Sequence, residues 1–191
     1  MGHFFDYDPD DIDVQFAELM TATHDSVDPM VHPKVTEALG LMRRHLDMDV
    51  MFVSQFRDHK RTFRVVDAGH GFTKVATGHS DPLEESWCQF VVAGRAPQLI
   101  KDAAPLVKDG TLPAVDPQIG THLSTPIRLR NGSVYGTLCC FSHEVKDDVS
   151  EKQLRRLQAA AKILAEDLSR TSLGAELELS PLEPPTRSAD Q

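Results

Sequence analysis

The stretch Leu123 to Ser142, LSTPIRLRNGSVYGTLCCFS, constrains the fold more than any other part of the chain. Its two apolar runs flank Asn131-Gly132, and Asn-Gly between apolar runs is the strongest short-range signal for a β-hairpin. Val134 to Phe141 is almost continuously apolar rather than alternating, which predicts a strand covered on both faces and therefore central in a layered sheet. Cys139 and Cys140 occupy successive positions of that strand, so they point to opposite faces and cannot pair with each other.

The rest of the chain supplies the layers. Asp8 as a cap and Pro9 at the first helical position, followed by Ile12, Phe16 and Leu19 or Met20, predict a short amphipathic helix in an N-terminal extension over residues 1–32. A second helix is predicted from Pro33, with Val35, Leu39, Met42 and Leu46 on one stripe. Val50 to Phe56 and Thr62 to Val66 read as strands joined by the polar connection Arg57 to Arg61. Ser80-Asp81-Pro82-Leu83-Glu84-Glu85 reads as a helix start capped by Asp81, leading into Trp87, Cys88, Phe90 and Val91 and ending near Gly94. Pro97 to Lys101 is a short strand, and Asp102 to Gly120 is loop and helical turn. Ser150 with Gln153 has capping-box spacing ahead of Leu154, Leu157, Ala161, Leu164 and Leu168, a three-four repeat. The segment 171–191, with Pro181, Pro184 and Pro185, has no periodicity and is expected to be disordered. The fold class is thus α+β, with one domain over residues 33–170.

Charge narrows the possible partners. With 20 Lys and Arg against 29 Asp and Glu, the net charge of -9 argues against nucleic acid, whose binding draws on clustered cations. No apolar run is long enough to cross a bilayer, and the acidic start MGHFFDYDPDD is unlike a secretory signal, so the expected location is the cytoplasm. Three cysteines form no disulfide framework and no paired Cys-x-x-Cys metal motif, and none of the nine histidines has ligand spacing, so no metal and no cofactor is assigned. His70, His79 and His122 are the histidines closest to the long excursion, with His122 adjoining the pocket strand. Neither a Gly-x-Ser-x-Gly elbow nor a phosphate-cradling loop is present.

Two segments, PLEESWCQFVVAGRAPQLIKDA (Pro82 to Ala103) and THLSTPIRLRNGSVYGTLCCFS (Thr121 to Ser142), resemble the GAF domain family of small-molecule-binding signalling modules. The first is similar to the segment of bacterial sensor members in which a serine, an aromatic residue and a cysteine open the helix beside the pocket. The Asn-Lys-Phe-Asp-Glu motif of cyclic-nucleotide-binding members is absent, and Cys88 precedes Gln89 where bilin-attaching cysteines are often followed by His. The resemblance therefore implies neither ligand; what it implies is an α/β/α layered fold with a central antiparallel sheet of about six strands, terminal helices on one face and a ligand pocket on the other.

Trp87, Cys88, Phe90, His122, Leu123, Thr125 and Cys139, or Cys140 in its place, are the residues expected around a small apolar or aromatic ligand, against the alternative that each simply fills the core. Cys88, in the first turn of a helix, is the one expected to have a reactive thiol if any does. The first functional expectation is a non-catalytic sensory module that signals through a homodimer, its seam formed by the Leu154 to Leu168 stripe with the Pro33 to Asp47 helix, to a separate output protein. A second is a redox enzyme similar to the free methionine sulfoxide reductases built on this fold, with Cys88 as nucleophile and another cysteine as resolver. A third is a ligand-free dimerisation scaffold whose pocket is filled by Trp87, Phe90 and Phe72.

Overall fold

β5 (Thr121–Arg128) and β6 (Val134–Ser142) form the hairpin that Asn131-Gly132 predicts. In a computed structural model that describes residues 11–23, 26, 28–72 and 74–179, with side chains through residue 171, Gly132 alone in this turn has a positive φ, 85°. Its N–H donates to the Leu129 carbonyl, and Leu129 N–H to Ser133. The connection is therefore a turn closed by one left-handed glycine. The sharper reversal lies between β1 (Val50–Arg57) and β2 (Lys60–Ala68), where Asp58 and His59 both take positive φ, 52° and 58°.

With β3 (Ser80–Pro82) and β4 (Leu99–Ile100), the six strands run in the order β3-β2-β1-β6-β5-β4, every neighbour antiparallel. β1 and β6 are central, as the continuous apolar run of β6 requires. Alternation then sorts the side chains: Met51, Val53, Val65, Leu123, Ile127, Leu138 and Cys140 face one layer, and Phe52, Phe63, Cys139 and Phe141 face the other.

The first layer is helical. α1 (Ile12–Thr21), α2 (Pro33–His45) and α5 (Glu151–Leu179) bury Phe16, Met20, Leu39, Met42, Leu157 and Leu164 against the sheet. Ser150 and Gln153 meet as their spacing predicts, Gln153 Oε1 accepting from the Ser150 N–H at 3.0 Å and from its hydroxyl at 2.6 Å. Asp167 of α5, 2% exposed, is bonded to the Thr23 hydroxyl beyond the end of α1, which ties the first helix to the last.

Four expectations change. α1 is capped by Asp11, which accepts from Asp13 N–H, while Asp8 and Pro9 lie outside the described residues. The helix in the excursion is α3 (Trp87–Val92), capped by Ser86, because the Asp81 carboxylate is taken by Arg61 and Ser80 to Pro82 joins the sheet as β3. α5 continues to Leu179, so part of the segment expected to be disordered is helical. Leu154, Leu157, Ala161, Leu164 and Leu168 are all buried in this chain's own helical core, since β5 needs a cover there, so that stripe cannot serve as a seam to a second copy.

Asp49 closes one end of the central strand pair. Its Oδ2 accepts from the His143 N–H at 2.9 Å, the Ser142 hydroxyl at 3.1 Å and His143 Nδ1 at 3.2 Å. Burial opposes ionisation, but these bonds outweigh it and hold the carboxyl below its usual 3.8. The folded chain then binds this proton less readily than the unfolded one, so the contribution to stability is complete above about 3.8 and is lost as pH falls through the lower folded value. Urea midpoints measured from pH 5 down to pH 3 should fall less steeply for Asp49→Asn than for the wild type. Parallel acid limbs would refute this role.

Candidate functional site

On the face of the sheet away from α1, α2 and α5, a cavity of about 450 Å³ lies between the strands, α3 and the 113–119 segment. Phe52, Phe63, Trp87, Ile119 and Phe141 give it apolar walls, and Arg61, His79, Asp81, Glu85 and His122 give it polar groups. Trp87 is positioned by the Ser86 cap of α3 and by its indole N–H, which donates to the Pro113 carbonyl at 2.8 Å. That bond holds the outer wall against the helix.

Arg61 is the best-supported charged group. Its guanidinium makes two bonds to the Asp81 carboxylate, the one from Nε at 2.9 Å, and lies 4.6 Å from the Phe63 ring centroid. Its remaining arm, Nη1, points at Cys88 Sγ, 3.5 Å away. Behind the cavity Cys88 Sγ lies 3.1 Å from Cys139 Sγ, which also contacts the Ser124 hydroxyl at 2.9 Å and the Thr137 hydroxyl at 3.1 Å. His122 stands edge-on to Trp87, is 2% exposed, and has a buried Nδ1 with no hydrogen-bond partner.

The three thiols are chemically distinct. Burial opposes the Cys88 thiolate, but the hydrogen bond from Cys139, the Arg61 charge and His122 outweigh it and hold Cys88 well below the ordinary thiol range. Burial and then the adjacent Cys88 push Cys139 well above that range. Burial alone pushes Cys140 up to about 12.

Of the residues expected at the site, Trp87 and His122 line the cavity, and Cys88 and Cys139 meet behind it. Leu123 lies in the helical core, and Thr125, two residues on along β5, faces the same way; because successive strand residues alternate, neither can share a face with His122. Phe90 is half-buried on α3, its ring under the Arg95 guanidinium at 4.0 Å rather than on the cavity. Cys140 faces the helical layer. Arg61 and Ser124 were not anticipated. A cation in a polar connection and a serine in an apolar strand carry no local signal; only the strand pairing brings them to the cysteines.

A family model described as GAF domain matches residues 35–166, well over half of the chain. The chain belongs to the GAF domain family. Solved structures share its fold at low identity. The GAF domain of Acinetobacter phosphoenolpyruvate-protein phosphotransferase is 17% identical, covering 91% of this chain and 96% of its own, with a TM-score of 0.62. A phycocyanobilin-bound GAF domain from a cyanobacterial phytochrome is 14% identical, covering 85% and 96%, with a TM-score of 0.64. The free methionine-R-sulfoxide reductase from Neisseria meningitidis, solved with its substrate, is 12% identical, covering 85% and 91%, with a TM-score of 0.65. No curated protein matches the sequence. Among the described residues of this GAF domain, no helix is long and apolar enough to cross a membrane.

Proposed function

We propose that this GAF domain is a non-catalytic sensory module that binds a small molecule in the cavity beside Trp87. The observation that carries the reading is the cavity itself: about 450 Å³, aromatic on its walls and charged at Arg61 and Asp81, which suits a compact ligand with an apolar body and a polar end. The open volume beside Trp87 also weighs against a scaffold whose pocket is filled by its own side chains. A homodimer, if formed, uses surfaces other than the buried Leu154 to Leu168 stripe, and a separate cytoplasmic protein receives the signal.

Native mass spectrometry of the purified protein tests the reading, because it reports adduct mass and subunit number together. A stoichiometric adduct is expected on the wild type and its loss on Ala114→Trp, which places a large ring in the cavity from its exposed rim. An adduct that survives this substitution would place the ligand elsewhere.

One observation favours a second reading, turnover of a sulfoxide: Cys88 and Cys139 come together from a helix and a strand at 3.1 Å. In that chemistry two thiols reduce a sulfoxide to a sulfide, giving one disulfide and one water, and an external thiol must then reduce the disulfide. Cys88→Ser should abolish turnover under this reading and leave ligand binding intact under the first.

A further inference from the structure

Cys88 Sγ, Cys139 Sγ and a ring nitrogen of His122 all lie within 4.8 Å of one another. They come from three separate elements, α3, β6 and β5, so their approach is fixed by the sheet and not by one flexible loop. We propose that Cys88, Cys139 and His122 form a site for one zinc-class divalent cation, leaving a fourth coordination position to an exogenous ligand.

Two thiolates and an imidazole are the donors such a cation takes, whereas magnesium and calcium require oxygen ligands that this cluster lacks. Bond lengths of about 2.3 Å to sulfur and about 2.0 Å to nitrogen place two sulfurs roughly 3.8 Å apart and each sulfur roughly 3.5 Å from the nitrogen in a tetrahedral site. The present 3.1 Å between the sulfurs and the 4.8 Å limit on the whole group bracket that spacing, so changes in separation of no more than about 1.3 Å suffice. Charge also balances. Two thiolates neutralise a divalent cation, and Arg61 is already matched by Asp81, so the occupied site is buried without net charge.

The second, independent observation is His122. Its Nδ1 is buried and without a hydrogen-bond partner, an arrangement that is costly for a polar group unless something binds the ring. Outer-shell donors are in place as well: the Ser124 hydroxyl at Cys139 Sγ and Arg61 Nη1 at Cys88 Sγ would orient and stabilise ligating sulfurs. His122 lines the cavity, which places the cluster next to the open volume. The inference does not depend on the sensory reading, since an ion could reside there whatever fills the cavity.

Cobalt(II), titrated into the reduced, chelator-treated full chain, is the probe. One equivalent should produce the intense sulfur-to-metal absorption and visible bands of four-coordinate cobalt, and zinc(II) should displace it and raise the melting temperature. Cys88→Ala, Cys139→Ala and His122→Gln should each weaken cobalt binding by about 100-fold or more, Ser124→Ala by about 10-fold, and Cys140→Ala should leave it unchanged. Far-UV circular dichroism checks that each variant is folded, and the wild-type spectrum decides the matter even if a variant is not. Absence of the sulfur-to-cobalt band in the reduced wild type would overturn the proposal, as would its full retention in folded Cys88→Ala. A Cys88–Cys139 disulfide in the purified protein that, once reduced, still takes no cobalt would also overturn it and make the pair a redox couple. A ligand adduct without cobalt binding would leave the sensory reading standing alone.

Discussion

Gly136→Ala is expected to yield little or no folded protein. Gly136 sits in β6 opposite Gln55 of β1, in the central strand pair, and a Cβ added there would run into the Ser54 carbonyl oxygen and approach the Gln55 Cα at 2.9 Å. Both obstacles are backbone, so no rotamer change relieves the overlap; β1 and β6 would have to separate where Ser54 and Thr137 also share a buried hydroxyl contact of 2.8 Å. Overpacking of a core normally costs about 1–3 kcal/mol, and a clash between two central strands should reach roughly 3–5 kcal/mol, a large part of the 5–15 kcal/mol typical of a whole domain. Gly132→Ala is the control. Gly132 has a positive φ of 85° but nothing within 4 Å of a Cβ, so its replacement should lower stability by only about 1–2 kcal/mol, through backbone strain alone. Soluble yield and urea midpoints measure both, and a Gly136→Ala midpoint equal to the wild type would show that β1 and β6 do not approach as described.

Arg61→Ala carries the next largest expected effect. The guanidinium is 14% exposed and its partner Asp81 30% exposed, so the pair lies between the surface and fully buried cases. Removing the arginine strands a half-buried carboxylate and strips a stacked cation from Phe63. It also loosens β3, whose pairing to β2 covers only Lys60 to Thr62 opposite Ser80 to Pro82. We expect a loss of roughly 2–4 kcal/mol, between the ranges for exposed and buried pairs, or a melting temperature lower by about 5–15 °C. Asp81→Leu combined with Arg61→Met should recover most of that loss, because neither half of the pair is then left alone in the wall. Ligand adducts should vanish in both variants if Arg61 holds the polar end of the ligand. An unchanged melting temperature in Arg61→Ala would reduce the pair to a surface contact.

How far the sequence alone could reach depends on whether a feature is local. The Asn131-Gly132 hairpin, the Pro33 start of α2 and the Ser150-Gln153 capping box are set by residues within a few positions of one another, and all three are found as their spacing predicts. The opposite orientation of Cys139 and Cys140 follows from strand geometry alone and is likewise found. Asp81 illustrates the limit. Its sequence context is that of a helix cap, but Arg61, 20 residues away, offers a charged partner, and Ser86 is left to cap α3.

The candidate site was legible in part. The structure brings Trp87, Cys88, His122 and Cys139 together, whereas Leu123 and Thr125 face the helical layer, because β5 is buried on both faces and a strand without alternation does not reveal which parity meets the cavity. Local chemistry along the chain therefore determined most of the elements, their order and the family to which the domain belongs. Only the tertiary structure decided which face of β5 lines the cavity, that Arg61 is held between Asp81 and Cys88, and that two sulfurs and an imidazole converge behind Trp87. The physical reason is that each of these contacts is made between residues distant in sequence, and sheet register and packing, not spacing along the chain, bring them within reach.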